Sequence, residues 1–109
     1  MSGTVDLQAM GTELLRTTSD GHDGGRAART VLHEPGLRST LIALRAGHEL
    51  AEHDAPPAAS LQVVLGSVRL VAGDEDVALA AGHLAPIPHE RHALIADTDS
   101  VVLLTVRFE

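Results

Sequence analysis

The side chains able to do chemistry in this chain are few in kind. Seven histidines stand beside fifteen Asp and Glu residues, cysteine and tyrosine are absent, and with no lysine all eight Lys or Arg residues are arginine. Disulfides, thiolate nucleophiles and Cys-containing zinc sites are thereby excluded, so a metal or proton-transfer site has to be assembled from imidazole, carboxylate and hydroxyl. Two stretches bring such groups together: HELAEHD at 48–54, with His48, Glu52, His53 and Asp54, and HERH at 89–92, with His89, Glu90 and His92. An imidazole both accepts and donates a proton near neutral pH and, when neutral, ligates metals. The chain has no Gly-rich phosphate loop, no His-Glu-x-x-His, no Gly-x-Ser-x-Gly elbow and no Tyr or Lys to act as base or Schiff-base amine. Each of Glu52, Asp54, His89 and Glu90 taken alone also reads as a solvated loop residue. His22, His33 and His83 lie in or beside polar segments and turns and read as surface residues.

The elements that would position these groups are those of one small domain. A chain of 109 residues, 44% hydrophobic and 21% charged, has the composition of a globular protein with a single core. Leu7, Met10, Leu14 and Leu15 recur at helical spacing, which predicts a short amphipathic helix over 5–17. SDGHDGGR at 19–26 reads as a surface linker. Short runs rich in Val, Leu and Ile follow at 37–46, 61–65, 68–72, 76–81, 83–88, 92–96 and 101–108, cut by Gly, Pro or Asp, and this rhythm is all-β. Gly66, Gly73 and Gly82 fall where hairpin turns of a meander would need positive φ. SVVLLTV at 100–106 is continuously apolar, as in a strand covered on both faces inside a sandwich or at a subunit contact. Alternation sets Gln62 and Val64 on one face and Leu61, Val63 and Leu65 on the other; with the first face toward a cavity, Gln62 would contact a ligand. Arg38, Arg45 and Arg69 fall in expected strands, where an inward arginine would clamp a carboxylate and an outward one would face solvent.

Composition also excludes partners. A net charge of −7, singly scattered arginines and one aromatic residue, Phe108, leave neither a basic stripe nor a stacking platform for nucleic acid. The N-terminal helix is too short and acidic to serve as a DNA-reading element. No basic segment followed by an apolar run opens the chain, and no stretch approaches the roughly 18 apolar residues of a membrane span. The expectation is a soluble cytoplasmic protein.

The order of blocks resembles the small stand-alone cupins, and short actinobacterial members in particular. Gly47, His53 and Gly66 stand at the places of the first cupin motif, and Gly82, Pro88 and His92 at those of the second. GRAARTV at 25–31, LRSTLIALRAG at 37–47, LAEH at 50–53, LQVVLGSVRL at 61–70, IPHERH at 87–92 and DSVVLLTV at 99–106 carry the likeness over about residues 25–108. It implies an all-β fold, a single cupin (jelly-roll) barrel over 25–109 preceded by a helix and linker over 1–24. It also implies a site at His53 and His92, and the pairing of two copies as a homodimer, for which the strand at 100–106 offers a surface.

The departures from that pattern set its functional content. The partner of His53 in the first motif falls on Ala51 or Ala55, the glutamate on Ala58 or Ala59, and His89, Glu90 and Arg91 stand between Pro88 and His92. Of three histidines and a glutamate, His53 and His92 remain. A divalent ion, zinc, iron, manganese or nickel, usually takes three or four protein ligands, so the pair would need help from Glu52, Asp54, His48, His89 or Glu90. Glu90 is the best placed, since in an extended strand it shares the face of His92. The reading is a small-molecule-binding barrel with a reduced histidine site able to hold a divalent metal. Gln62 and Glu90 are its further ligand contacts. The alternative is an enzyme, an isomerase, cyclase, dehydratase or dioxygenase of secondary metabolism, using His53 and His92 as catalytic residues with or without metal.

Overall fold

The computed structural model describes residues 3–18, 24–53 and 58–108, with the backbone alone at 51–53. Helix α1, Leu7–Thr17, starts at Asp6, whose carboxylate accepts the Ala9 amide at 3.1 Å. That satisfies one of the amide donors left over in a first helical turn. Leu7, Met10, Leu14 and Leu15 then form one face, which packs on Leu41, Ala43, Val64 and Val101. The helix lies close: a Cβ on Gly11 would sit 2.7 Å from Val101 Cγ1. At its end the Arg45 guanidinium donates to the Leu15 carbonyl and the Thr18 hydroxyl, each at 2.7 Å, and pairs with Asp99 at 3.0 Å. An arginine just past the end of a strand, at 45, thus occupies the negative end of the helix dipole.

Nine strands occur among the described residues: β1 Arg26–Glu34, β2 Leu37–Leu44, β3 Glu49–His53, β4 Ala58–Leu65, β5 Ser67–Ala72, β6 Glu75–Ala80, β7 Leu84–Pro86, β8 His92–Ala96 and β9 Ser100–Arg107. They form two antiparallel sheets, one in the order β1-β2-β9-β4-β7 and one in the order β3-β8-β5-β6. Between them lies a core of Ile42, Leu61, Val63, Val68, Leu70, Leu79, Leu94 and Val102. The all-β expectation with one short N-terminal helix is met.

Two details of the sequence reading need correction. β1 and β3 were not among the expected strands. β1 is an edge strand of mostly exposed residues and β3 reads ELAEH, so neither presents an apolar run. The meander is not formed either: β4 belongs to the first sheet and β5 to the second, so Gly66 carries the chain across the sandwich, and of the three glycines at 66, 73 and 82 Gly73 turns a hairpin, β5–β6. Pairing is decided by which strands share a buried face, and β4 finds its neighbours in β9 and β7. The apolar run at 100–106 is covered on both faces, the first of the two settings expected for it. Val102 and Leu104 enter the core between the sheets, while Val101 and Leu103 lie under α1.

Candidate functional site

His92 opens β8 and is 4% exposed. It lines a cavity of about 30 Å³ whose other walls are apolar, among them Ile42, Leu50, Leu61 and Leu94. A space of that size holds one or two small atoms rather than a ligand. The ring Nδ1 lies 3.0 Å from the Glu90 carbonyl oxygen. In a neutral imidazole that contact makes Nδ1 the donor and leaves the lone pair on Nε2, the form suited to take a proton or ligate a metal.

Position 53 faces position 92 across the β3–β8 ladder, and its placement depends on an irregularity. Leu50 pairs with Leu94 and His53 with His92, so three steps along β3 match two along β8. A regular ladder would have set Glu52 opposite His92; the extra residue advances the register by one. Bulges re-aim strand positions in this way, often beside functional sites. Directly opposed positions of an antiparallel pair share one face of the sheet, so the backbone brings the two histidine positions to one place. Asp54 and His22 lie outside the described residues, as do the side chains of Glu52 and His53.

Beyond His92 the barrel opens. A mouth of about 540 Å³ is bounded by Ala58, Ala59, Glu75, Val77, Pro88 and His89, and it shares Leu70 and Ile87 with the small cavity. Leu70 and Ile87 thus stand between the two spaces. The alanines at 58 and 59, where the cupin pattern would carry glutamate, stand in this lining as methyl groups.

The other candidates sit elsewhere. Glu90 is exposed, and a Cβ on Gly73 would be 3.3 Å from its Oε1, so its carboxylate lies beside the β5–β6 turn. The argument from strand alternation fails because residues 87–91 are outside any strand and bent at 89–90. What Glu90 contributes to His92 is its backbone carbonyl. Gln62 and Val64 take the outer face of β4 while Leu61 and Val63 enter the core, so the condition for Gln62 to meet a ligand in the barrel is not fulfilled. Gln62 instead lines an open groove of about 550 Å³ beside Asp6, Gln8 and Gly82. His48 rests its ring on Gly25. Of the strand arginines, Arg45 caps α1, Arg69 pairs with Asp97 and Asp76 at 3.0 and 3.1 Å, and Arg38 lies 5.4 Å over the Phe108 ring. The paired carboxylates hold the Arg69 guanidinium above its ordinary pKa, Asp97 most strongly. His33, expected as a surface residue, is exposed and stacks on Phe108 at 5.6 Å.

Among the described residues no three His, Asp or Glu side chains come together to hold a metal ion. The described donors, His92 at their centre, do not make up the three or four ligands such a site takes. No helix of the described residues is long and apolar enough to cross a membrane.

No protein-family model matches the chain, and no curated protein matches it in sequence. Its shape is shared with solved structures. A conserved protein of unknown function from Streptococcus pyogenes superposes with a TM-score of 0.77 at 23% identity, covering 100% of this chain and 90% of that one. A cupin superfamily protein from Desulfitobacterium hafniense gives 0.78 at 11% identity, over 100% of this chain and 94% of that one. Salicylate 1,2-dioxygenase from Pseudaminobacter salicylatoxidans gives 0.75 at 25% identity, over 89% of this chain and 31% of that much longer one. The fold is a single cupin barrel.

Proposed function

We propose that this chain is a small-molecule-binding barrel whose polar anchor is the pair His53 and His92. The observation that carries the reading is a buried imidazole at the floor of an apolar barrel, set by the backbone register opposite a second histidine. Buried polar groups are costly unless used or bonded, and pockets typically combine apolar walls with a few fixed polar groups. Here Glu90 fixes the ring through Nδ1, Leu70 and Ile87 line both its cavity and the mouth, and the anchor would orient whatever enters.

Zinc is a probe of that pair. Two imidazoles hold it weakly, so elemental analysis of the purified protein is expected to find well under one equivalent of metal, and calorimetric titration to find one site filled only with excess zinc. His53→Ala combined with His92→Ala should weaken that site by about tenfold or more, about 1.4 kcal/mol. His92→Gln, which keeps a polar side chain in the cavity, guards against simple loss of folding and should weaken it similarly. Equal zinc uptake by the wild type and the folded variants would sink the proposal.

A catalytic reading is favoured by one contact, the bond from Nδ1 to the Glu90 carbonyl, which fixes the tautomer and ring orientation as a backbone carbonyl does behind a general base. His92 would then move a proton on a bound substrate through Nε2. A ligand that is turned over by the wild type, and bound but left unchanged by His92→Gln, would establish the barrel as an enzyme.

A further inference from the structure

We infer that the molecule taken into the barrel is uncharged and largely apolar, and that the mouth rejects carboxylates and other anions. The inference rests on the mouth being a ligand pocket, as proposed above, and concerns the chemistry of its occupant. The described lining consists of alanine methyls, Val77, Leu70, Ile87 and prolines, with Glu75 and His89 as the ionisable members. None of the eight arginines lines the mouth or the cavity beneath it. Three are engaged outside the barrel: Arg45 on α1, Arg69 on its two aspartates, Arg38 on Phe108. Lysine is absent from the chain.

An anion entering this mouth would lose water without gaining a bidentate partner and would approach the Glu75 carboxylate on a protein of net charge −7. Desolvation without pairing costs several kcal/mol, and the surrounding field has the wrong sign. An apolar molecule meets the opposite balance, since Val77, 43% exposed, would be covered by it. The volume of about 540 Å³ accommodates a ligand of one or two rings. Salicylate, the substrate that names the dioxygenase of similar shape, carries a carboxylate; this mouth offers such a group neither arginine nor lysine among its described residues.

Two dyes of nearly the same frame separate charge from shape: N-phenyl-1-naphthylamine, which is neutral, and 8-anilinonaphthalene-1-sulfonate, its anionic counterpart. With no Trp or Tyr in the chain, their fluorescence is read without protein background. The full chain is expected to bind the neutral dye at one site, and the sulfonate about tenfold more weakly or worse at low ionic strength. Val77→Trp, which fills the mouth from an exposed position, should weaken the neutral dye by about tenfold. Glu75→Arg should bring the two affinities together by raising that of the sulfonate. Equal binding of both dyes, each displaced by Val77→Trp, would overturn the inference while leaving the pocket intact. Binding of neither dye, or neutral-dye binding indifferent to Val77→Trp, would remove the pocket and the inference with it.

Discussion

Gly66 sits where the chain leaves one sheet for the other, at a φ of +83°. A Cβ there would run into the Asp99 carbonyl oxygen and the Ser100 hydroxyl. That hydroxyl is fully buried and donates to the Ser67 and Thr98 carbonyls, at 3.0 and 2.8 Å, so it has little room to retreat. Gly82 has a similar φ of +91° but open space around it. The two positions separate backbone strain from steric overlap. Gly82→Ala should cost about 1 kcal/mol for the left-handed backbone alone, and Gly66→Ala about 2 to 4 kcal/mol, read as midpoint shifts in urea unfolding. Equal losses would mean that the neighbours of Gly66 yield freely. Both glycines were legible in the sequence as turns, but the contact that distinguishes them joins residues 33 positions or more apart and leaves no local trace. The same holds for the site. His53 and His92 stand out as candidates through their place in a familiar order of blocks, whereas the bulge that sets position 53 and not 52 opposite position 92, and the bend at 89–90, exist only in the assembled sheet.

At the scale of elements, α1 is held to the barrel from both ends of its apolar face, and Asp99 ties that attachment to pH. Its carboxylate accepts the Ala46 amide at 2.9 Å and pairs with Arg45, which in turn caps the helix. The Ala46 amide chiefly, and Arg45 with it, keep the Asp99 carboxyl below its ordinary value of 3.8, against a smaller opposing push from partial burial. The folded protein therefore binds this proton less readily than the unfolded chain. The resulting stability is complete above the unfolded value and is lost as pH falls through the lower folded value. Asp99→Asn is expected to cost about 1 kcal/mol near pH 7, a figure held down by the half-exposed setting, and the gap from wild type should close below about pH 4. Urea unfolding at both pH values checks it; a gap that persists in acid would assign the loss to packing. The helix itself was legible because Leu7, Met10, Leu14 and Leu15 keep a 3.6-residue period. Its docking on the sheet was not, although the unbroken apolar run of β9 recorded that both faces of that strand are covered.

Over the whole molecule, few of the pairings join neighbours in sequence. β2 and β4 both pair with β9, and β3 with β8, so the ladders close long stretches of chain. Topologies of this kind fold in milliseconds to seconds rather than microseconds. Refolding followed by far-UV circular dichroism, the suitable optical signal in a chain without Trp or Tyr, should fall in that range; a microsecond phase carrying the full amplitude would contradict it. The strand rhythm and its turns made the all-β class legible, while the division of strands between sheets was hidden, because β4 and β5 look alike in sequence and differ only in where they pair. That division also shapes the mouth. Its two long sides are β6 and β7, the terminal strands of different sheets. At one end they are stitched to the barrel by the Ala81 amide on Gly66 and by the exchange between Val63 and residues 82–83. The width of the mouth at its stitched end is therefore set by main-chain hydrogen bonds and not by the size of the side chains that line it.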